Sequence, residues 1–554
     1  MKRESDKSRR SPVLPLLIFF VFFYLLTHPG PPTQGDENTL LLTAESIVTR
    51  GALAVEYGER RPTIIQGGDG QYYTKLGLGQ PLAEVPLLAF GRLIAPLVSA
   101  GAGQRVVFGR FVASMLPVFL VTFTVWMLHS FVLSFGYSGR TALAIAAAFG
   151  IGTMAWPYSG ALLSEALQMC MLMLCAFAVC RWRNETGNWW LPVSSFALGF
   201  AITAKPAVAV VAPFVIAYVA YTMREKSRGR RDQKWVVWLA LFFVPLFVWF
   251  CVNLWYNHAR FGAILNLGYG WIGRDVEIGF GTPWYTGIFG LLFSTGKGIF
   301  LYSPVLVLCF FGISGFWKDH RRECLLFLGM TVSILLISAR WHGWHGDYSW
   351  GPRYLLPLVP FIMIFSAPVW KNCLEAGGIT RKVALVLLVL VSAGVQVLGV
   401  FVNDKKYPQL IHYFSRTQGT YRKGVNETRD DLLLNHFVPE FSPIICHAWM
   451  LKYDFLATVR GDSPGLRDQL AQSAPWLSIN KTWIVRANQG ENSVEEGFLG
   501  LNSWYLKWRR NMKSAPGLGK LVLLLLLVAT PASAAWVFAR LLCLRKSAQT
   551  DCHV

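Results

Sequence analysis

Along the chain, apolar runs of membrane-spanning length alternate with short polar breaks from one end to the other. Runs nearly free of charge fall at about 12–28, 111–135, 141–157, 166–180, 189–204 and 206–222. Others fall at about 235–256, 298–316, 324–338, 354–370, 383–402 and 521–539. Their lengths, roughly 15 to 25 residues, predict about twelve transmembrane helices and an all-α polytopic membrane protein. Three segments between the runs are too long to be turns: about 29–105, 257–297 and 403–517. The first holds two stretches of helical periodicity that are not apolar enough to span. Residues 38–55 carry Leu41, Leu42, Ile47, Val48 and Leu53, and residues 81–97 set Glu84 and Arg92 among aliphatic side chains. Both predict amphipathic helices lying in the membrane interface.

Composition agrees with the pattern. Of 554 residues 53% are hydrophobic and 15% charged, against about 25% charged in a typical soluble domain. That excludes a disordered chain. Lys and Arg outnumber Asp and Glu by 52 to 31, a net charge of +21. In a membrane protein this excess reports topology rather than a nucleic-acid partner. The first run follows Met1-Lys2-Arg3 and Arg9-Arg10, and no small-x-small cleavage site comes after it, so it reads as an uncleaved anchor. With that end cytoplasmic, strict alternation places 136–140, 181–188, 223–234, 317–323, 371–382 and 540–554 inside. Together with the N-terminus they hold 23 Lys or Arg and 9 acids. Span count and charge bias therefore give one orientation, with both termini cytoplasmic.

This organisation divides the chain into a membrane module over 1–402, a small extracytoplasmic domain over 403–517, and a last helix with its tail over 518–554. Of the ten cysteines only Cys446 lies clearly in outer material, so no disulfide framework is expected. Asn426-Glu427-Thr428 and Asn480-Lys481-Thr482 are outward-facing acceptor sequons.

The polar residues then narrow the function. A transporter keeps ionisable residues near the bilayer midplane. Here the middles of the runs are almost free of charge. Asp36, Glu37, Arg110, Glu165, Lys205, Arg340 and Arg353 instead fall at predicted outer ends. Each alone also reads as an interfacial anchor. Jointly they suit an enzyme whose substrate has a lipid tail in the bilayer and a polar head at its surface. Two other classes stay open: a transporter or flippase of a lipid-linked sugar, and a non-catalytic subunit that binds a glycan or partner through 403–517.

Several pieces carry a family resemblance: Gly35-Asp36-Glu37, the run Asp69-Gly70-Gln71-Tyr72-Tyr73-Thr74-Lys75-Leu76-Gly77-Leu78-Gly79-Gln80, and Trp156-Pro157-Tyr158 with Ser164-Glu165. Leu301-Tyr302-Ser303-Pro304 and Trp350-Gly351-Pro352-Arg353-Tyr354 complete them. In this order and loop placement, the first 400 or so residues resemble the GT-C glycosyltransferase superfamily, in its bacterial branch of protein O-mannosyltransferase-like and aminoarabinose-transferase-like enzymes. The resemblance implies an inverting transfer of a hexosyl or pentosyl unit. The sugar leaves a polyprenyl-phosphate donor for an acceptor hydroxyl of a glycan, glycolipid or protein at the outer face. It implies Asp36 as general base with Glu37 beside it, and Glu165 as a second acidic residue touching acceptor or donor sugar. Cations would hold the leaving phosphate: Arg353 and Lys205 first, Arg110 and Lys75 after them. Other readings stand beside these: Asp36 as a helix cap, Glu165 as a solvated loop residue, Arg353 as a snorkelling anchor. Asn38-Thr39-Leu40 follow the acidic pair without the basic or aromatic residue often found in better-known relatives, which leaves the acceptor class open.

The outward Trp341-His342-Gly343-Trp344-His345-Gly346-Asp347 segment carries His342, His345 and Asp347 as sugar contacts, interface anchors or, less favoured, ligands of a divalent ion. No cofactor is expected.

Overall fold

The computed structural model describes residues 13–32, 35–56, 63–99, 101–185, 187–227, 234–269, 279–402, 407, 436–460, 503–505, 508, 512 and 515–550. Helices dominate, and among the described residues the sheet is one short antiparallel hairpin. In chain order they are α1 (Val13–Leu26), α2 (Gly35–Arg50), hairpin strands β1 (Ile64–Gln66) and β2 (Tyr72–Thr74), α3 (Gly79–Val98), α4 (Ala102–Ala113) and α5 (Leu116–Ser134). Then come α6 (Gly139–Gly152), α7 (Ala155–Tyr158), α8 (Ser164–Asn184), α9 (Trp190–Ala204), α10 (Ala212–Lys226) and α11 (Lys234–Phe261). The later elements are α12 (Trp284–Phe293), α13 (Ile299–Tyr302), α14 (Leu308–Asp319), α15 (Arg321–Arg340), α16 (Val359–Phe365), α17 (Ala367–Lys371), α18 (Ile379–Phe401), α19 (Pro443–Arg460) and α20 (Pro516–Thr550).

All twelve apolar runs are helical. Among the described residues eight helices are long and apolar enough to cross a membrane. The count is nine if Arg353–Phe365 and Ala367–Ala376, bent by 46° at their junction, make one span. Four shorter apolar helices accompany them: α1, α6, α9 and α12. A bilayer leaves backbone groups no water to bond, so helices that satisfy their own ladders are the available solution. Helix α8 is central, with 78% of its apolar window buried, whereas α11 shows 11% and presents Phe243, Phe247 and Phe250 outward, as a lipid-facing helix does. Close approach between helices uses small residues. Gly150 of α6 lies under Phe20 of α1, and the Tyr24 hydroxyl donates to the Gly150 carbonyl at 2.8 Å.

Helix α3 is one of the eight by length and composition, although the sequence predicts an interfacial helix there. Its packing explains both. Gly79 at its start sits against the backbone of Ala204 at the close of α9. Ala95 near its end joins a cluster with Trp504 and Trp508, and the Trp504 N–H donates to the His28 carbonyl just past α1. Both ends of α3 are thus held at one end of the bundle, and the helix lies along that end instead of threading it. The hairpin, α2 and α3 form a layer there.

Described residues of the 403–517 region touch the bundle. In its described part the His436 carbonyl accepts from the Gly296 N–H, Ser442 Oγ donates to the Thr295 carbonyl at 2.7 Å, and α19 packs on α18. Cys446 is buried. Both sequons lie outside the described residues, as do Arg228, Arg230 and Arg231 of the basic cluster.

At the opposite end of the bundle charged residues close on one another. Arg183 of α8 pairs with Glu323 of α15 at 2.5 Å and Glu225 of α10 at 3.4 Å. Arg322 takes Glu225 at 2.5 Å, and the Tyr218 hydroxyl donates to Glu323 at 2.8 Å.

Candidate active site

The residues that gather at the α2–α3 end come from distant parts of the chain. Asp36 lies in the first turn of α2, where a carboxylate complements the helix dipole, and its side chain is 24% exposed. It faces Arg353, whose Nη1 is 3.1 Å from Asp36 Oδ2. Arg353 follows Gly351, which holds φ at 63°, and its own side chain is 9% exposed. A Cβ on Gly351 would strike Met154 and Tyr302, so glycine is needed for conformation and for space.

The loop ahead of Arg353 is strained and pinned. Asp347 is the one non-glycine residue with positive φ among the described residues, at 55°. Its N–H donates to His345 Nδ1 at 3.0 Å, and its Oδ2 lies 3.5 Å from Arg353 Nη2. A Cβ on Gly346 would strike the Arg353 side chain. Below the loop the buried Lys297 ammonium donates to the Ser349 carbonyl, and the Tyr158 hydroxyl donates to the Trp350 carbonyl at 3.1 Å. Such strain in a non-glycine residue persists where surrounding contacts over-determine it, commonly at functional sites. The Asp347 side chain is 71% exposed. The surrounding protein disfavours its charge, yet Arg353 and, after it, Lys297 outweigh that and hold the carboxyl below the usual carboxylate range.

Two more cations stand nearby. Lys205, at the close of α9, pairs with Glu165 at 3.2 Å; Glu165 opens α8 and its side chain is 4% exposed. The Lys205 ammonium also lies 3.6 Å from the centre of the Tyr354 ring, and Arg353 Nη2 donates to the Tyr354 hydroxyl at 3.2 Å. Tyr354 therefore bridges the two cations. Lys75 follows β2, half-buried, with its ammonium 5.1 Å from the Tyr269 ring centre. Burial pulls its pKa below the ordinary lysine value, against the opposing charges of Asp36 and Asp347. Gly77 and Gly79 after it meet the backbone of Ala204, so the Lys75 turn is held against the residue preceding Lys205.

Asp36, Glu165, Lys75, Lys205, Arg353 and Asp347 are thus brought together. Arg110 is not: it makes a two-pronged pair with Glu45 on the later part of α2, at 2.6 and 2.8 Å, and Arg92 adds a 3.5 Å contact to the same carboxylate. Glu37 shares the first turn of α2, half-buried, and its charge is felt by the buried Glu84 of α3. Arg340 donates to the Thr282 carbonyl at 2.8 Å, which holds the 279–284 turn. His342 lies tilted against Trp341 with ring centres 4.4 Å apart, and its pKa is lowered by burial and by Lys75. His345 stacks on His436 with ring centres 4.9 Å apart, and burial lowers its pKa to about 4. Among the described residues no group of three His, Cys, Asp or Glu side chains is placed to hold a metal ion. His345 spends Nδ1 on the Asp347 N–H, and Asp347 faces Arg353, so His342, His345 and Asp347 do not converge.

Lys297, Tyr354 and Arg260 are site-end residues that sequence reasoning misses. A signal exists for Arg260, a basic residue just past an apolar run at the same level as the others. Lys297 precedes a run in the same way, but within an unremarkable glycine-rich turn.

Chemically, three carboxylates and three cations meet at the end of an apolar bundle, with aromatic faces beside the cations. That set can bind an anionic head group while a carboxylate accepts a proton nearby.

No family model matches the sequence, and no curated protein matches it. Among solved structures, the chain superimposes on ArnT from Cupriavidus metallidurans in the apo state with a TM-score of 0.46 and 11% identity. The match covers 95% of this chain and 77% of that one. For the same protein bound to undecaprenyl phosphate the TM-score is 0.44 and the identity 12%, over 94% and 78% of the two chains.

Proposed function

We propose that the chain is an inverting membrane glycosyltransferase of GT-C type. It moves a sugar from a polyprenyl-phosphate donor to an acceptor hydroxyl of a glycan, glycolipid or protein. The reading rests on the family resemblance of the site segments. The observation that carries it is the placement of Arg353, a nearly buried guanidinium against Asp36 with Lys205 one aromatic ring away. A lipid tail would lie along the apolar bundle while its phosphate meets Arg353, Lys205 and Lys75.

In the transfer, the acceptor oxygen forms its bond to the anomeric carbon as the bond from that carbon to the phosphate oxygen breaks. Asp36 takes the acceptor proton, and the charge left on the lipid phosphate falls to the cations. Asp36 is held in an ion pair with Arg353 at 3.1 Å. A donor phosphate that engages Arg353 loosens that pair and leaves the carboxylate free to meet the acceptor hydroxyl. In this reading Glu165, paired with Lys205, contacts a sugar hydroxyl.

The test is transfer from a panel of radiolabelled polyprenyl-phosphate sugars by purified protein in detergent. The wild-type chain releases label from at least one donor. Asp36→Asn is expected to lower turnover at least ~10²–10³-fold, the scale of a lost general base, while still binding donor. Full turnover in Asp36→Asn would remove that residue from the mechanism.

A further inference from the structure

We propose that Arg260 is a positioning residue for Lys75, holding the turn that presents its ammonium to the donor phosphate; the functional half of this inference rests on the reading above. Arg260 sits at the end of α11, 3% exposed, with its guanidinium 3.6 Å from the Tyr256 ring centre and 4.5 Å from that of Phe261. Every nitrogen of the guanidinium is spent on a neutral oxygen. Nη1 donates to the carbonyls of Thr74 at 2.6 Å and Leu76 at 3.4 Å, the residues on either side of Lys75. Nη2 donates to Asn257 Oδ1 at 2.9 Å and Nε to the Tyr256 carbonyl at 3.2 Å. The Tyr256 hydroxyl adds a 3.2 Å bond to the Leu76 carbonyl.

The planar fork lets Nη1 take both carbonyls flanking Lys75 while Nη2 and Nε stay anchored on Asn257 and Tyr256 of α11, which the single nitrogen of a lysine cannot do. With the two carbonyls turned toward α11, the Lys75 side chain is directed to Tyr269 and into the field of Asp36 and Asp347. The strand is clamped from a second side: a Cβ on Gly67 would strike the Arg260 carbonyl, so the hairpin backbone rests on the same residue. Burying a guanidinium is costly, and hydrogen bonds to its nitrogens offset part of that cost. Here they fix the one turn that joins the hairpin to α3.

The experiment reads Lys75 directly. Amine-reactive labelling of the intact, detergent-purified chain is quantified at Lys75 by mass spectrometry in wild type, Arg260→Gln, Arg260→Lys and Tyr256→Phe. Binding of undecaprenyl phosphate is titrated in parallel. Release of the turn is expected to raise Lys75 labelling about fivefold in Arg260→Gln, nearly as much in Arg260→Lys, and about twofold in Tyr256→Phe, which removes a single bond to the same turn. Lipid binding should weaken about tenfold in Arg260→Gln, and the KM for donor should rise in step while kcat moves less than about twofold. Adding Arg260→Gln to Lys75→Met should cost nothing further, since the two act as one unit. Unchanged Lys75 labelling in the variants that fold, or losses that multiply in the double variant, would overturn the inference. Failure of the wild-type chain to bind the lipid counts against the donor reading instead, because the labelling needs no ligand.

Discussion

The two ends of the bundle use the same residue types to opposite purposes. At the α8–α10–α15 end, Arg183 bridges Glu323 and Glu225, Arg322 takes Glu225, and Tyr218 donates to Glu323. Each charge there is answered by another protein charge at short range, and three helices are tied by the result. At the α2–α3 end the ammonium groups of Lys75 and Lys205 lie over aromatic rings, and the loop ahead of Arg353 holds Asp347 in a backbone conformation that costs energy. Arg353 is shared between Asp36 and Asp347, and the latter is mostly exposed. A network that satisfies itself holds structure; one left partly open to solvent can exchange a protein carboxylate for a ligand phosphate.

The sharpest way to break this comparison is to remove one arginine from each end. Arg353→Ala should weaken donor binding about 100-fold, or ~2.7 kcal/mol, the scale of a lost buried charge contact, with little change in unfolding temperature. Unchanged affinity in a lipid-phosphate titration would remove Arg353 from the phosphate site. Arg183→Met should do the reverse: it leaves the nearly buried Glu323 with Tyr218 alone and lowers stability by about 3 kcal/mol, while kcat per folded molecule is kept. Thermal unfolding in detergent and active-site titration separate the two effects. A loss of turnover in folded Arg183→Met would show that the far end is not merely structural.

Much of this division can be read before folding, because it follows from lengths and ends. The apolar runs are helices since a bilayer permits little else, and Asp36, Glu165, Lys205 and Arg353 share one level because each flanks a run that must stop at the interface. Pairing is not legible in the same way. Arg110 has the position of a phosphate ligand in sequence, but the facing side of α2 carries Glu45, and a two-pronged ion pair satisfies it. Nothing in the order of residues shows that Glu45 meets α4 while Asp36 meets the loop after Gly351. Arg260 is harder still: its partners are backbone carbonyls, which every residue has, so its role is written only in the distances. The Asp347 strain is likewise invisible, since Asp favours turns without declaring a positive φ.

Acidity offers a smaller test of the same contrast. His345, His436 and His447 are buried, and burial keeps them neutral: His345 and His447 are lowered to about 4, and His436 well below its ordinary value. In the unfolded chain these rings gain a proton near pH 6.5, while in the folded chain they resist it. Stability is therefore full above pH 6.5 and declines as pH falls from 6.5 toward 4. Between pH 6.5 and 5 each ring should cost on the order of 1–2 kcal/mol. His345→Phe and His447→Phe should each flatten the slope of unfolding temperature against pH in that window. A slope left unchanged by both would mean that other groups set it.

The smallest effect concerns the competitor within the site. Asp347 takes Arg353 Nη2 at 3.5 Å from a largely exposed position, so in water that contact is worth only a fraction of a kcal/mol. An incoming phosphate must nevertheless displace it. Asn tolerates the left-handed backbone nearly as well as Asp, so Asp347→Asn leaves the loop intact and removes only the charge. Lipid-phosphate affinity should then rise about threefold, or ~0.7 kcal/mol. The gain should shrink at high salt, where an exposed pair is already screened. Asp347→Val, which resists positive φ, should by contrast disturb the loop and weaken binding. If Asp347→Asn instead lost affinity, the carboxylate would be serving the ligand or holding Arg353 in its binding pose, and the open end of the bundle would be more self-satisfied than its exposure indicates.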